Sequence, residues 1–154
     1  MKDLRLTALS ELARATGTRA ERALEAARLV RRLGGYRWVG LYDVSATEIS
    51  VIAWDGPEGP ARPRFAVTQG LNGVAVANRA PVIVQDVTCD PRFLQTITGT
   101  RGEMIQPVLA SSGAVVGTLD VESDRVNAFS SRDEELVAAC AQHLGWLWDQ
   151  GLGT

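Results

Sequence analysis

Residues 102–123, GEMIQPVLASSGAVVGTLDVES, contain two strand-like runs joined by the turn-forming SSG. Apolar and β-branched residues dominate both runs, which is typical of two antiparallel strands. In an extended chain, side chains two positions apart lie on the same face. One face of the second run is therefore the apolar row Val115, Gly117, Leu119 and Val121. Its other face carries Thr118, Asp120 and Glu122, so the strand sets two carboxyl groups side by side.

The two carboxyl groups have two interpretations, and spacing alone does not choose between them. On an antiparallel sheet that is covered on one side only, the polar face of a strand points to water. Alternatively, Asp120 and Glu122 line a pocket that requires a cation or a hydrogen-bond donor.

Further strands and helices are predicted on both sides of this stretch. YRWVGLYDV (36–44) and EISVIAWDG (48–56) form a second hairpin candidate. Helical patterns cover residues 3–15 and residues 19–33, the latter behind a capping box of Thr18 and Glu21. A second capping box, Ser131 with Glu134, opens a last helix.

This order of elements predicts an α+β fold, in which helices pack on an antiparallel sheet. We expect one domain over residues 1–154, with N-terminal helices in 1–34 and the core sheet and C-terminal helix in 36–148. The middle of the chain is predicted to contain, in order, a loop at 55–63, a short strand at 64–70, a small helix at 74–79, a strand at 80–87 and an irregular stretch with a helical turn after Pro91.

Composition and charge argue against several classes of function. The formal net charge is −2 and no basic cluster is free of carboxylates, which argues against a nucleic-acid partner. The N-terminus lacks the apolar core of a signal peptide and no run reaches a spanning length, so we expect a cytoplasmic protein with no membrane partner. Cys89 and Cys140 are expected to be free thiols. His143 is the lone histidine, so neither a metal nor another cofactor is expected.

Five motifs occur together in one order: RWVGLYDV, GLNGVAVANRAPVIVQDV, DPRF, GEMIQPVLASSGAVVGTLDVES and FSSRDEELVAACAQHL. In content and order they resemble a GAF domain, the small-molecule sensory fold related to PAS domains, over about residues 36–145. The resemblance implies that the polar face of the strand with Asp120 and Glu122 points into a ligand cavity, with Glu103 on the neighbouring strand. Carboxylates grouped in this way repel, so at least one should have a raised pKa unless a cation compensates.

Within that family, the sequence resembles the free methionine-(R)-sulfoxide reductases. The resemblance implies an aromatic wall of Trp38 and Tyr42, with carboxylates at Glu103, Asp120 and Glu122 that engage a substrate's amino group and sulfoxide. Glu122 stands where the pattern of the reductases has Asp.

The cysteines of those enzymes are missing. Their three positions align near Arg62, at Asn72 and near Leu94, and none of these is Cys. Cys89 is a catalytic candidate only if a displaced nucleophile is allowed, and it has no second cysteine nearby to resolve a sulfenic acid. We therefore expect no reductase activity.

The sequence thus predicts a stand-alone GAF domain that binds a small ligand without catalysis. Its acidic lining favours an ammonium-bearing, amino-acid-like ligand. The alternatives are a divergent reductase that uses Cys89 and a dimeric interaction module with a vestigial pocket. A partial cyclic-nucleotide motif at 127–134 has Ala128 at its Lys position. Trp146 and Trp148 point to different sides of a helix, so one of them is expected to be exposed or to lie in a homodimer interface.

Overall fold

The structure is a computed structural model that describes residues 3–149. Its centre is a six-stranded antiparallel sheet with the order β3-β2-β1-β6-β5-β4. The strands are β1 (Trp38–Val44), β2 (Glu48–Asp55), β3 (Arg64–Ala66), β4 (Val82–Val84), β5 (Gly102–Leu109) and β6 (Val115–Ser123). The helices are α1 (Leu4–Glu11), α2 (Arg19–Gly34), α3 (Gly70–Asn78), α4 (Ser131–His143) and α5 (Trp146–Asp149). The predicted α+β fold is confirmed.

Helix α2 begins at the predicted residue and ends one residue later than predicted. The Thr18 hydroxyl accepts a hydrogen bond from the Glu21 N–H, and the Glu21 carboxylate accepts one from the Thr18 N–H, which completes the capping box. Gly35 ends the helix in the left-handed conformation with φ of 66°. The buried face of α2 consists of small side chains, Ala23, Ala26, Ala27 and Val30. These side chains let the helix lie close to the sheet.

The capping box of helix α4 lies one residue earlier than the sequence predicts. Ser130 is the capping residue, and it exchanges hydrogen bonds with Asp133. The predicted pair of Ser131 and Glu134 is therefore wrong. Both pairs satisfy the same Ser-x-x-acid spacing, so the pattern could not separate them.

The two C-terminal tryptophans are both half-buried and both bonded within the chain. The Trp146 indole N–H donates to the Leu9 carbonyl at 3.0 Å, and the Trp148 indole N–H donates to the Tyr42 carbonyl at 3.1 Å. The expectation that one of them is exposed is wrong, because the indoles pack on two different elements of the same chain. The homodimer loses this support and stays a prediction.

Both faces of the sheet are covered. Leu119 and Val121 of β6 belong to the core beneath α1, α2 and α4. On the opposite face, smaller apolar clusters form around Trp38 and Tyr42 and beneath α3. The interpretation of Asp120 and Glu122 as solvent-facing side chains is therefore excluded: they are 2% and 0% exposed.

The segment between β3 and β5 differs most from prediction. Helix α3 begins at Gly70 rather than at residue 74, and β4 has three residues instead of the predicted eight. The helical turn is a 3₁₀ turn at Val87–Cys89, before Pro91 rather than after it. Residues 93–96 have no regular structure. Within residues 3–149, no helix is both long enough and apolar enough to cross a membrane.

Candidate functional site

The candidate site lies on the sheet face opposite α2 and α4, where three neighbouring strands align their side chains. In the strand register, Glu122 of β6 pairs with Trp38 of β1 on one side and with Glu103 of β5 on the other. Asp120 pairs with Gly40 of β1, between Trp38 and Tyr42. The antiparallel ladders therefore bring together all five predicted site residues, although they come from three separate parts of the chain.

The three carboxyl groups form one buried cluster. Glu103 and Asp120 are 3% and 2% exposed, and Glu122 is fully buried. One oxygen from each carboxyl group lies within 4.8 Å of those of the other two. We call Glu103, Asp120 and Glu122 the carboxyl trio.

Neutral side chains that the sequence analysis did not select as ligand-binding residues hold the trio in place. The Thr100 hydroxyl donates to Glu122 Oε1 at 2.7 Å. The Asn72 amide donates to Asp120 Oδ2 at 3.2 Å, and the Thr118 hydroxyl donates to Asn72 Oδ1 at 2.6 Å. Asn72 and Asp120 are 48 residues apart in sequence, so no local motif links them. The one available signal was that Asn72 occupies a position where the reductases have Cys.

Part of the site's hydrogen-bonding capacity is unused. Among residues 3–149, the Tyr42 hydroxyl is buried without a hydrogen-bond partner, and Asp120 Oδ1 and Glu122 Oε2 are buried with no partner outside the trio. Buried polar atoms without partners destabilise a fold, by roughly 1–3 kcal/mol each. The site is therefore suited to a group that donates several hydrogen bonds.

Burial raises the pKa of each member of the trio. For Glu103 and Asp120, the charges of neighbouring carboxylates raise the pKa further, to well above the ordinary range. For Glu122, hydrogen bonds from Thr100 and from the other two carboxyl groups act in the opposite direction, although burial dominates and the pKa is raised. In the absence of a compensating cation the trio therefore binds protons more tightly than exposed carboxyl groups do, in agreement with the expectation from sequence.

The rings of the predicted aromatic wall pack against each other. The Trp38 and Tyr42 rings lie 6.5 Å apart at 44°, and Phe65 meets Tyr42 edge-on at 5.9 Å. Gly40 permits this arrangement, since a Cβ atom there would overlap the Trp38 ring. Trp38 and Tyr42 are fully buried, and neither of them lines the small cavity beside the trio.

The space beside the trio is small. A cavity of about 10 Å³ lies between α3 and the sheet and is lined by Phe65, Gly70, Leu71, Asn72, Leu94, Thr96, Glu103 and Asp120. This volume suits about one water molecule or one small ion. A larger ligand requires the residues above the cavity to move. A larger groove, of about 420 Å³, lies elsewhere, between α1 and α2.

Two other kinds of chemistry, metal binding and thiol reactions, depend on where particular residues lie. The trio supplies oxygen ligands of the kind that hard divalent cations prefer, whereas the sequence analysis expected no metal. His143 contributes nothing to it, since its Nδ1 lies 2.6 Å from the Ser10 hydroxyl on the helical side of the protein. Cys89 is exposed and is not part of the cavity lining, and burial raises the pKa of Cys140 to about 12.

The fold, the paired carboxylates of β6 and the covered cavity agree with one known family. The model of the GAF domain matches residues 18–147. The chain belongs to the GAF domain family.

Relatives of this GAF chain include a GAF domain-containing protein and enzymes. GAF domain-containing protein A of Dictyostelium discoideum is 33% identical over 101 residues, which are 65% of this chain and 62% of that protein. Free methionine-R-sulfoxide reductase of Saccharomyces cerevisiae is 24% identical over 106 residues, 68% of this chain and 59% of that protein. Type II free methionine-R-sulfoxide reductase from Thermoplasma acidophilum superposes with a TM-score of 0.79 at 26% identity, over 92% of this chain and 96% of that one.

Proposed function

We propose that this GAF domain is a sensory module that binds a small ligand through an ammonium group and performs no chemistry on it. The ligand class is amino-acid-like, and the binding residues are Trp38, Tyr42, Glu103, Asp120 and Glu122.

The carboxyl trio carries this proposal. Three carboxyl groups that meet in a buried site destabilise the fold unless they keep protons or gain a cation. The hydrogen bonds that the trio receives from Asn72 and Thr100 come from neutral groups and leave two carboxyl oxygens with no partner outside the trio. An ammonium group offers three N–H donors and one positive charge, and charge-assisted hydrogen bonds are about twice as strong as neutral ones.

The aromatic wall supports the same class of ligand. The faces of Trp and Tyr rings attract cations, and Trp38 stands across the strand from Glu122. The fully buried aromatic rings also favour an apolar portion next to the ammonium group.

The proposed absence of catalysis rests on the cysteines that a reductase would need. A cysteine-dependent reductase forms a sulfenic acid on one thiol and resolves it with a second. Asn72 occupies one reductase cysteine position and is engaged in hydrogen bonds to Thr118 and Asp120. Cys89 is exposed, outside the cavity lining. The divergent reductase therefore stays the second candidate, favoured only by the relatives.

Titration calorimetry tests the proposal. At about pH 8 we expect heat from at least one of the free amino acids or L-methionine sulfoxide and none from N-acetyl-methionine sulfoxide, which lacks the ammonium group. Glu122→Gln should weaken binding by at least about tenfold, or 1.4 kcal/mol. Glu134→Gln, an exposed site on α4, is the matched control and should bind as the wild type does.

Three outcomes would contradict it. No heat from any compound would leave the interaction module as the better explanation. Heat from Ca²⁺ or Mn²⁺ alone would make the trio a metal site. Thiol-dependent loss of methionine sulfoxide that disappears in Cys89→Ser would establish the reductase.

We extend the proposal to assembly and location. The exposed Leu4 and the groove between α1 and α2 support a homodimer formed through the N-terminal helices. The two free cysteines are compatible with a reducing, cytoplasmic compartment.

A further inference from the structure

The cavity is covered by a short segment without regular structure, residues 94–98, which we call the strap. Leu94 and Thr96 of the strap line the cavity beside the trio. Leu94 lies against Gly70, where an added Cβ atom would stand 3.1 Å from the Leu94 Cβ. Ile97 is 3% exposed and packs into the same apolar cluster as Trp38 and Tyr42.

The outer side of the strap faces a second, open groove. This groove has a volume of about 320 Å³ and is lined by Glu58, Gly59, Ala61, Arg62, Gln95, Thr96, Ile97 and Thr98. Thr96 lines both the groove and the inner cavity. The strap is therefore the layer between the two spaces at Thr96, and it separates the groove from the buried trio.

Hydrogen bonds from one loop hold the strap down. The Glu58 carboxylate accepts hydrogen bonds from the Thr98 backbone N–H and, at 2.6 Å, from the Thr98 hydroxyl. The Ala61 N–H donates to the Thr96 carbonyl at 2.6 Å. The loop itself is tied to the site, because the Trp38 indole N–H donates to the Glu58 carbonyl at 3.1 Å.

These bonds differ from a sheet ladder in one respect. Two of the three that cross from the loop to the strap depend on a single side chain, that of Glu58, and Thr98 is exposed to solvent. Such a closure opens without breaking any strand pairing, since low-stability segments open locally while the core stays folded.

We infer that the strap is a gate over the carboxyl trio, that Glu58 is its latch, and that ligands enter from the groove beside Arg62. This inference rests on the proposed function for what passes the gate, but the gate itself is testable without a ligand. An amino-acid-sized molecule needs more than the 10 Å³ of the closed cavity, and displacement of the strap joins that cavity to the groove of about 320 Å³. Glu58 acts as a positioning residue and does not touch the ligand.

Hydrogen–deuterium exchange of the full chain tests the latch. In Glu58→Ala we expect the amides of residues 94–100 to exchange about tenfold faster than in the wild type, because a charge-assisted acceptor is lost. Thr98→Ala, which removes only the hydroxyl donor, should give a smaller acceleration. Helix α4 should be unchanged in both variants. Glu135→Ala, an exposed α4 site on the other side of the sheet, is the control and should exchange as the wild type does.

If the strap amides of both Glu58→Ala and Thr98→Ala exchange at the wild-type rate, the inference is overturned. An equal acceleration in α4 would also overturn it, because the bonds would then hold the whole fold rather than the gate.

Stopped-flow tryptophan fluorescence with L-methionine sulfoxide as the probe links the gate to entry. We expect association about tenfold faster in Glu58→Ala than in the wild type or Glu135→Ala. An unchanged association rate alongside faster strap exchange would overturn the gating role. If the probe does not bind the wild type at all, the proposed function fails for this ligand, whereas the exchange experiment still decides whether the latch exists.

Discussion

Glu122 lies fully buried between two other carboxyl groups, and this placement makes the free protein sensitive to pH. The folded-state pKa of each trio member is raised, so each keeps a proton in the folded state that it loses in the unfolded state above the ordinary carboxyl pKa of about 4. The folded state therefore binds more protons, and stability falls as the pH rises through and above this range.

We predict that the ligand-free protein loses stability as the pH rises above about 5, by up to about 1.4 kcal/mol per pH unit for each retained proton. Urea unfolding at a series of pH values measures this slope. Glu103→Gln removes one of the raised groups and should flatten the slope, whereas the exposed Glu135→Gln should not change it. A wild-type stability that is constant or increases over this range would show that the trio is ionised without a penalty.

At the same scale, the site shows which side chains a sequence pattern can and cannot select. The alternation along β6 correctly groups Asp120 with Glu122, because a strand has a fixed period of two. Thr100 and Asn72 lie in a loop and a helix with no periodic relation to β6, and only the tertiary fold brings them to the carboxylates. To select Thr100 and Asn72 from the sequence, one would need the relative positions of the loop, the helix and β6.

Among the elements, helix α5 is joined to the sheet at a glycine. A Cβ atom on Gly117 of β6 would overlap the Trp148 indole, whose N–H donates to the Tyr42 carbonyl. The predicted apolar row of β6 includes Gly117, but its role in receiving an indole could not be predicted without the turn between α4 and α5.

We predict that Gly117→Ala destabilises the protein by about 1–3 kcal/mol, because the added methyl group displaces a packed ring and its hydrogen bond. Gly145→Ala, at the start of the same short helix, should change stability by less than about 0.5 kcal/mol. Its added Cβ would meet the Gln142 carbonyl at an ordinary 3.6 Å. Thermal or urea unfolding compares the two variants, and equal effects would mean that the Trp148 contact does not matter.

Errors in the predicted elements have a common physical cause. Helix α3 begins at Gly70, and the N-cap of α4 is Ser130. In both cases the sequence offers another helix start close by, so local propensity leaves the exact residue undecided. The closed cavity was not predictable from any single element. Its volume depends on how Leu94 and Thr96 of the strap pack against α3 and the sheet.

For the whole molecule, the proposed dimer has a surface that can be tested. Leu4 is 80% exposed at the edge of the groove lined by Leu4, Arg5, Ala8, Leu29, Arg32 and Leu33. We predict a sedimenting species of about twice the chain mass of 16.5 kDa. Leu4→Glu should shift it towards the monomer, because a charge would be buried at the contact. Val126→Glu, which replaces another exposed apolar residue, should leave the mass unchanged. A monomeric wild type would contradict the dimer.

Strand β6 serves both sides of the sheet with successive residues. Asp120 faces the cavity, while its immediate neighbours Leu119 and Val121 pack in the core beneath the helices. In the proposed sensor, a ligand that changes the spacing or the charge of the trio would therefore act on the same peptide units that support α2 and α4. Its read-out would need no hinge and no relay of side chains, because the residues that face the cavity and those that face the core are adjacent in one strand.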